Sequence, residues 1–407
     1  MLQRSFGLVL VALLMLLGGA AAQDQDRVTL TLVHPWAGAE RELFEPVLRA
    51  AEEELGITIE DTVLRIEEHI VLLPTQWAAG TAPGDVMFAG EPGLVRQAHA
   101  GGHYVDLGDV LDADDFAPGA LEARTIDGMV YGAPFTHKPK PGFFYRPSFF
   151  EEHGLTPPTT WSEFIDLLDA MMEIDGIDAP IASGNGSGWP LADTAEHFLV
   201  AFGGPQLQME LAQGVAPDFA WDLVGAIYRD VLVPMLEAGY FAEPLEWTTA
   251  LERWWRGDHG IYFMGTWILG MIDDPDDAAV FTIPGTLGIT TSVDYMVVNA
   301  YSDHLEEAME LVAWLSTEGQ RLQVQEGGHI ATYLPATDLE LYPAAEQSVV
   351  EAMAGAVFLT GLHDTVGGEF RETLLDQLQL LWVSPGAVDD VILNIREAWE
   401  RVTGAGQ

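Results

Sequence analysis

Cysteine is absent from this chain of 407 residues, and lysine occurs only twice, at Lys138 and Lys140. Without cysteine there is no disulfide, no thiol nucleophile, no thiolate metal site and no acceptor for the lipid that anchors a bacterial lipoprotein. Basic residues of either kind are scarce: 17 Lys and Arg stand against 63 Asp and Glu, a formal charge of −46. Nucleic acid and anionic membranes are therefore poor partners, because both are repelled at long range. The acid reads as a solvated surface suited to a saline medium, where ions screen self-repulsion. Beyond the N-terminus no apolar run is long enough to span a bilayer.

Apolar residues make up 48% of the chain and include 12 Trp, which argues for packed cores rather than disorder. A chain of 407 residues exceeds one ordinary core, so two domains are expected. The start, MLQRSFGLVLVALLMLLGGAAAQDQD, has Arg4, an apolar run from Phe6 to Leu17 and three alanines before Gln23. Residues 1–22 are expected to be a secretory signal cut after Ala22, leaving a soluble exported protein in the periplasm or cell envelope. An uncut anchor is the alternative, and the absence of a following basic stop argues against it.

VTLTLVHPW, Val28 to Trp36, alternates as a strand does and ends at Pro35. Glu40 to Leu55 predicts a helix with Leu43, Phe44, Val47, Leu48 and Ala51 on one face, stopped by Gly56. Strand and helix patterns keep alternating through VMFAG and PGLVRQAHAGG, which predicts a parallel sheet covered by helices. Thr160 with Glu163, and Asp303 with Glu306, predict capping boxes. No internal repeat of solenoid period is visible.

Enzyme signatures are missing: no P-loop, no dinucleotide-binding glycine pattern, no HExxH and no GxSxG. The run Asp273, Asp274, Asp276, Asp277 lacks the glycine and closing glutamate of a calcium loop and reads as a solvated turn. His99 and His103 are four residues apart, but Gly101 and Gly102 end the predicted helix between them, so no metal and no cofactor are expected. Tryptophans beside turns carry more information. Trp36 follows a strand, Trp189 lies in the glycine-rich ASGNGSGWP, and Trp267 follows the strand-like IYFMG. Strand ends in open α/β sheets are where ligands bind, and an indole face suits the apolar C–H face of a sugar. Core packing is the ordinary alternative for any one of them.

Four stretches in order resemble the extracellular solute-binding proteins of ATP-driven importers, in the carbohydrate-binding group that includes the maltose-binding protein: AAGTAPGDVMFAGEPGLVRQAHAGGHYVDLGDVL, DGMVYGAPFTHKPKPGFFYRPSFFEEHGLTPPTTWSEFIDLL, ERWWRGDHGIYFMGTW and the helix ending STEGQRLQVQEGG. The likeness spans most of the mature chain. EPGLVRQAHAGG, Lys140 ahead of Tyr145 and DGIDAPIASGNGSGWPLADTAEHF are similar to the branch that binds α-glucosides, although Ala192 to Ala195 omit that branch's tryptophan.

The resemblance implies a two-lobed α/β fold of the type II periplasmic-binding-protein kind, with the ligand in a cleft between lobes joined by hinge strands. It implies lobe one as residues 23–136 plus 283–327 and lobe two as 137–282 plus 328–407. It implies no catalysis: a monomer captures a mono- or oligosaccharide by hinge closure and passes it to membrane permease subunits of an ABC importer. The implied stacking platforms are Trp36, Trp189 and Trp267, with Glu40, Glu91, His137, Tyr145, Asp193, Tyr295 and His329 as polar neighbours. Lys138 and Lys140 either donate to sugar hydroxyls or hold a cleft carboxylate; exposure in a proline-rich loop is the other reading. A polyamine or peptide receptor, or a secreted glycoside hydrolase, remains an alternative.

Overall fold

The computed structural model describes residues 27–117, 119–353 and 355–405, so the expected signal at 1–22 lies outside the described residues. The strands in chain order are β1 (Thr29–His34), β2 (Thr58–Val63), β3 (Val86–Phe88), the hairpin β4 (Thr125–Ile126) and β5 (Met129–Val130), β6 (Ala133–Lys140), β7 (Gly142–Tyr145), β8 (Ile181–Ala182), β9 (Ile261–Met264), β10 (Ala279–Phe281), β11 (Gly288–Val298), β12 (Ile330–Ala331) and β13 (Val357–Thr360). Apart from the β4–β5 hairpin, they build two sheets. The first runs β2-β1-β3-β11-β6-β12, with β13 beside the first half of β11; the second runs β10-β7-β9-β8.

β1, β2 and β3 are parallel, as the alternation of strand and helix predicts, but β11 pairs antiparallel with β3 and β6, β6 pairs antiparallel with β12, and β13 lies parallel to β11. The sheet is mixed because β11 enters it from the other half of the molecule, after β10, rather than through a local helix. The helix Ala39–Leu55 buries Phe44, Val47, Leu48 and Ala51, and Gly56 ends it in the left-handed conformation at φ 67°. Leu30, Leu32, Phe44, Phe88, Phe135, Met296 and Leu311 pack on one face of this sheet, and Val33, Leu73, Trp77, Met87 and Tyr104 on the other.

The second sheet carries its own cores. Phe143, Phe164, Leu168, Phe198 and Phe263 lie on one side, and Phe144, Trp254, Tyr262 and Ile268 on the other. The Thr160 capping box forms, with Thr160 Oγ1 accepting the Glu163 N–H at 3.2 Å, and the helix Trp161–Met172 buries the expected face. The box expected at Asp303 does not form. His304 is the N-cap of the helix Leu305–Trp314, and Ser302 Oγ takes the His304 N–H at 3.0 Å while donating to Asp85 at 2.6 Å.

Two crossings join the sheets. β6 passes through Pro141 into β7, and β10 turns into β11. At the first crossing a Cβ on Gly142 would lie 2.2 Å from the Phe281 carbonyl oxygen, so only glycine fits. Gln320 pins the strands from behind: its amide donates to Pro134 O and Thr332 Oγ1 at 3.1 and 2.8 Å and accepts the Thr332 and Tyr333 N–H groups at 2.7 and 3.0 Å. The lobes also meet where Leu43 packs on Gly270, at which a Cβ would lie 2.5 Å from Leu43 Cδ1.

Candidate functional site

Side chains alternate along β6, so Lys138 and Lys140 leave one face and His137 and Pro139 the other. Across the pairing, Ser292 stands opposite Lys138 and Thr290 opposite Lys140. Both lysines lie in a strand rather than an exposed loop. Lys140 Nζ is 3.0 Å from Asp193 Oδ1 with 5% and 2% of the side chains exposed. The contact is ionic, without the alignment of a hydrogen bond. Burial pushes the Asp193 carboxyl up and Lys140 opposes it.

Lys138 Nζ lies 3.1 Å from Asp294 Oδ2 and 3.9 Å from Glu40 Oε1. It also lies 5.2 Å from the Trp36 ring centre and 5.6 Å from that of Trp267. Burial raises the Glu40 carboxyl, and the ammonium partly offsets this. Trp36, just past β1, is 2% exposed and wedged against Phe44 and Phe88 at 4.7 and 4.6 Å. His329 sits 6.2 Å from Trp36, with its Nδ1 3.0 Å from Thr136 Oγ1. Burial, aided by Lys138, pulls that imidazole down to about 3, so it is neutral. His137, on the opposite face, reaches Thr291 Oγ1 at 3.4 Å and is brought down to about 4 by burial.

Trp267 leads from Lys138 to a group of indoles. It occupies the turn Thr266–Met271 after β9, 5.8 Å from Trp189, the first residue of the helix Trp189–Ala212. Trp247 completes the trio at 6.0 Å from Trp189 and 6.4 Å from Trp267. Sequence reasoning missed Trp247, which follows the N-cap Glu246 and has nothing in its local pattern to mark it.

Glu91 belongs to a second group. It is the N-cap of the helix Pro92–Gly101, and burial pushes its carboxyl up to about 7, against its own backbone N–H and Arg124. Among the described residues its Oε2 has no hydrogen-bond partner, nor have Ser183 Oγ, Thr266 Oγ1 and Thr290 Oγ1. The Arg124 guanidinium covers the Tyr295 ring at 4.1 Å, and Tyr295 donates to Ala120 O at 2.8 Å. The charges of Asp364 and Arg371, from the other lobe, also reach Glu91. Beside Asp364, His363 Nδ1 is 2.8 Å from Glu196. Burial pulls His363 down, but Asp364, Glu196 and Asp193 outweigh it and hold the ring up to about 9. Arg124, Asp364, Arg371, His363 and Glu196 carried no sequence signal beyond the scarcity of bases.

Tyr145 joins neither group: at the far end of β7 its ring packs on Phe150 and Phe281 at 4.3 and 5.8 Å. The acidic run is a turn in which Asp277 accepts the Ser148 N–H at 2.8 Å, and no three metal-binding side chains cluster among the described residues. No described helix is long and apolar enough to cross a membrane. Donors and acceptors of both charges, with the partly exposed Trp189 and Trp247, thus gather near the two strands that cross between the sheets.

Residues 37–322 match the profile of the bacterial extracellular solute-binding proteins. The chain belongs to that family. It is 41% identical over 383 residues to the ABC transporter extracellular-binding protein PH1039 of Pyrococcus horikoshii, covering 93% of this chain and 90% of that one. Over 191 residues, 44% of this chain and 41% of the relative, it is 30% identical to the alpha-glucosides-binding periplasmic protein AglE of Rhizobium meliloti. Its fold matches a chitin oligosaccharide binding protein with a TM-score of 0.78 at 22% identity, covering 93% of this chain and 100% of that structure. The protein is thus a two-lobed type II solute-binding protein of an ABC transporter.

Proposed function

We propose that this solute-binding protein captures an uncharged sugar between its lobes and releases it to the membrane permease, without catalysis. The carrying observation is the Trp189, Trp247 and Trp267 trio meeting the charged floor of β6 through Lys138. Trp189 and Trp247 are partly exposed, so their faces and edges serve as stacking platforms. Trp36 acts through Lys138 and His329, because its own ring is enclosed. Glu91, Asp193 and Thr290 hold acceptors that match sugar hydroxyls. Glu40 and Lys140 complete the polar rim and Tyr295 carries Arg124 beside Glu91, whereas His137 on the other face of β6 and Tyr145 at the far end of β7 stand apart from it.

An α-glucoside is favoured by the AglE likeness and an oligosaccharide by the chitin oligosaccharide binding protein. A polyamine is disfavoured, since the space between Trp36 and Trp267 beside two carboxylates already holds an ammonium, that of Lys138. The proposed lobes follow the division at residues 136/137 and 282/283, and the contacts of Gln320 with Thr332 and Tyr333 favour a last crossing after Tyr342 rather than at 327. Export by a signal cut after Ala22, a soluble monomer and the absence of a lipid anchor belong to the same reading.

Thermal-shift screening of the mature chain against sugars, amines and peptides tests it. A sugar present at about a hundred times its Kd adds about 2.7 kcal/mol to the folded state. Trp267→Ala is expected to weaken that sugar at least tenfold by calorimetry. A shift with amines or peptides alone, or conversion of the sugar to product, would reject the reading.

A further inference from the structure

We propose that Asp364 is a sugar-contacting residue of lobe two, whose carboxylate is set in the cleft by the buried pair His363 and Glu196 so that it accepts hydrogen bonds from the ligand's hydroxyls. The inference rests on the sugar-receptor reading and adds an acceptor, with its supports, that no local sequence pattern marks.

The helix Trp189–Ala212 carries the indole of Trp189 at its start and Glu196 two turns further on. Glu196 Oε2 accepts the Leu362 N–H at 2.6 Å, Oε1 accepts the His363 N–H at 2.9 Å, and Gln208 Nε2 donates to Oε2 at 3.3 Å. These bonds fix the start of the short helix Leu362–Val366, and with it the place of Asp364. The His363 ring then lies between two carboxylates, its Nδ1 2.8 Å from Glu196 Oε1 and its Nε2 3.4 Å from Asp364 Oδ1. Only a ring that carries both protons presents a donor to each.

Glu196 and His363 are buried, whereas 33% of the Asp364 side chain is exposed. Among the described residues His363 is the only direct partner of that carboxylate, so most of its lone pairs are open to a ligand. Asp364 also stands where the lobes approach: its charge is felt by Glu91 and Arg124 of lobe one. Burial pushes its carboxyl up, but His363, Arg371, Lys140 and Arg124 outweigh this and hold it below the ordinary value, so it is an anion at neutral pH. Three of the chain's 17 Lys and Arg thus surround one carboxylate, which a solvated surface acid does not require. A charged acceptor takes a hydroxyl hydrogen bond more strongly than a neutral one, and one already held in place loses little freedom on binding.

Calorimetric titration of the mature chain with maltose, trehalose, chitobiose and raffinose as probes, followed by monodeoxy derivatives of the probe that binds, tests the assignment. Asp364→Asn is expected to weaken that probe at least about tenfold. One deoxy position should cost the wild type a similar factor and cost Asp364→Asn nothing further, because carboxylate and hydroxyl are the two halves of one hydrogen bond. Asp364→Glu keeps the charge among its cations and serves if the asparagine variant does not fold; its displaced oxygens should produce the same loss at the same hydroxyl. For the support, nitrogen NMR of the unliganded chain should show His363 carrying both ring protons at neutral pH, and His363→Gln should weaken the same deoxy-sensitive contact.

Unchanged affinity in a folded Asp364 variant, or losses that add at every deoxy position, overturns the contact. A His363 ring that is neutral at neutral pH overturns its support. If no probe binds, the sugar reading falls and the assignment with it; if a probe binds and the Asp364 variants bind it equally well, the assignment fails alone.

Discussion

Lys140 and Asp193 meet at 3.0 Å with almost no solvent contact, so either charge is tolerable only while the other is present. Lys140→Met is expected to lower stability by about 3 kcal/mol in urea denaturation, because an unpaired carboxylate stays buried. Adding Asp193→Asn should recover part of that loss. His363 gives a pH signature. Its ordinary value is 6.5 and the fold holds it up to about 9, so the folded state binds the proton more tightly than the unfolded chain. That stabilisation is fully present below pH 6.5 and is lost as pH rises through about 9. Urea midpoints should fall across this window, by the equivalent of about 3 kcal/mol, and His363→Gln should flatten the fall. Residues of this kind were partly legible: scarcity alone singled out both lysines, whereas Asp294, Glu196 and Asp364 are three among 63 acids.

Strands and turns decide where those residues stand. β6 contains Pro139, which lacks an N–H, yet β12 covers only Thr136 and His137 on that flank, so Pro139 pairs with β11 on one side alone. The prolines make the stretch look like a loop in sequence, and only the position of β11 makes it a strand. Gly142→Ala should block the passage into β7, since the new methyl would meet the Phe281 carbonyl at 2.2 Å. We expect loss of soluble folded protein on expression, or a melting temperature lowered by several degrees, read by circular dichroism. Helices with a strong local pattern, such as Trp161–Met172 with its Thr160 cap, were legible because cap and apolar face both lie within one element. The Asp303 cap was not, because Ser302 is drawn to Asp85 far along the chain.

For the molecule as a whole, a formal charge of −46 makes self-repulsion a global term. Raising salt from ~0.1 to ~1 M shortens the screening length from about 10 to about 3 Å. Melting temperature should therefore rise with sodium chloride, and with potassium chloride to a similar degree, as read by calorimetry. A flat or falling salt dependence would show that the acids are already compensated locally. The contact of the lobes at Leu43 and Gly270 is apolar and should be insensitive to salt.

Composition, the alternation of strands and helices and the order of short motifs were enough to establish the class of fold and its family, because these depend on residues close together in the chain. Which side chains face one another across the cleft depended on β6 and β11 crossing between lobes and on helix starts far apart in sequence. Trp247 joins Trp189 and Trp267, Arg124 covers Tyr295, and Trp36 is closed off by its core neighbours and by Lys138, all through contacts that no local spacing encodes. Local periodicity reports a residue's element and face; the packing of distant elements decides what that face meets.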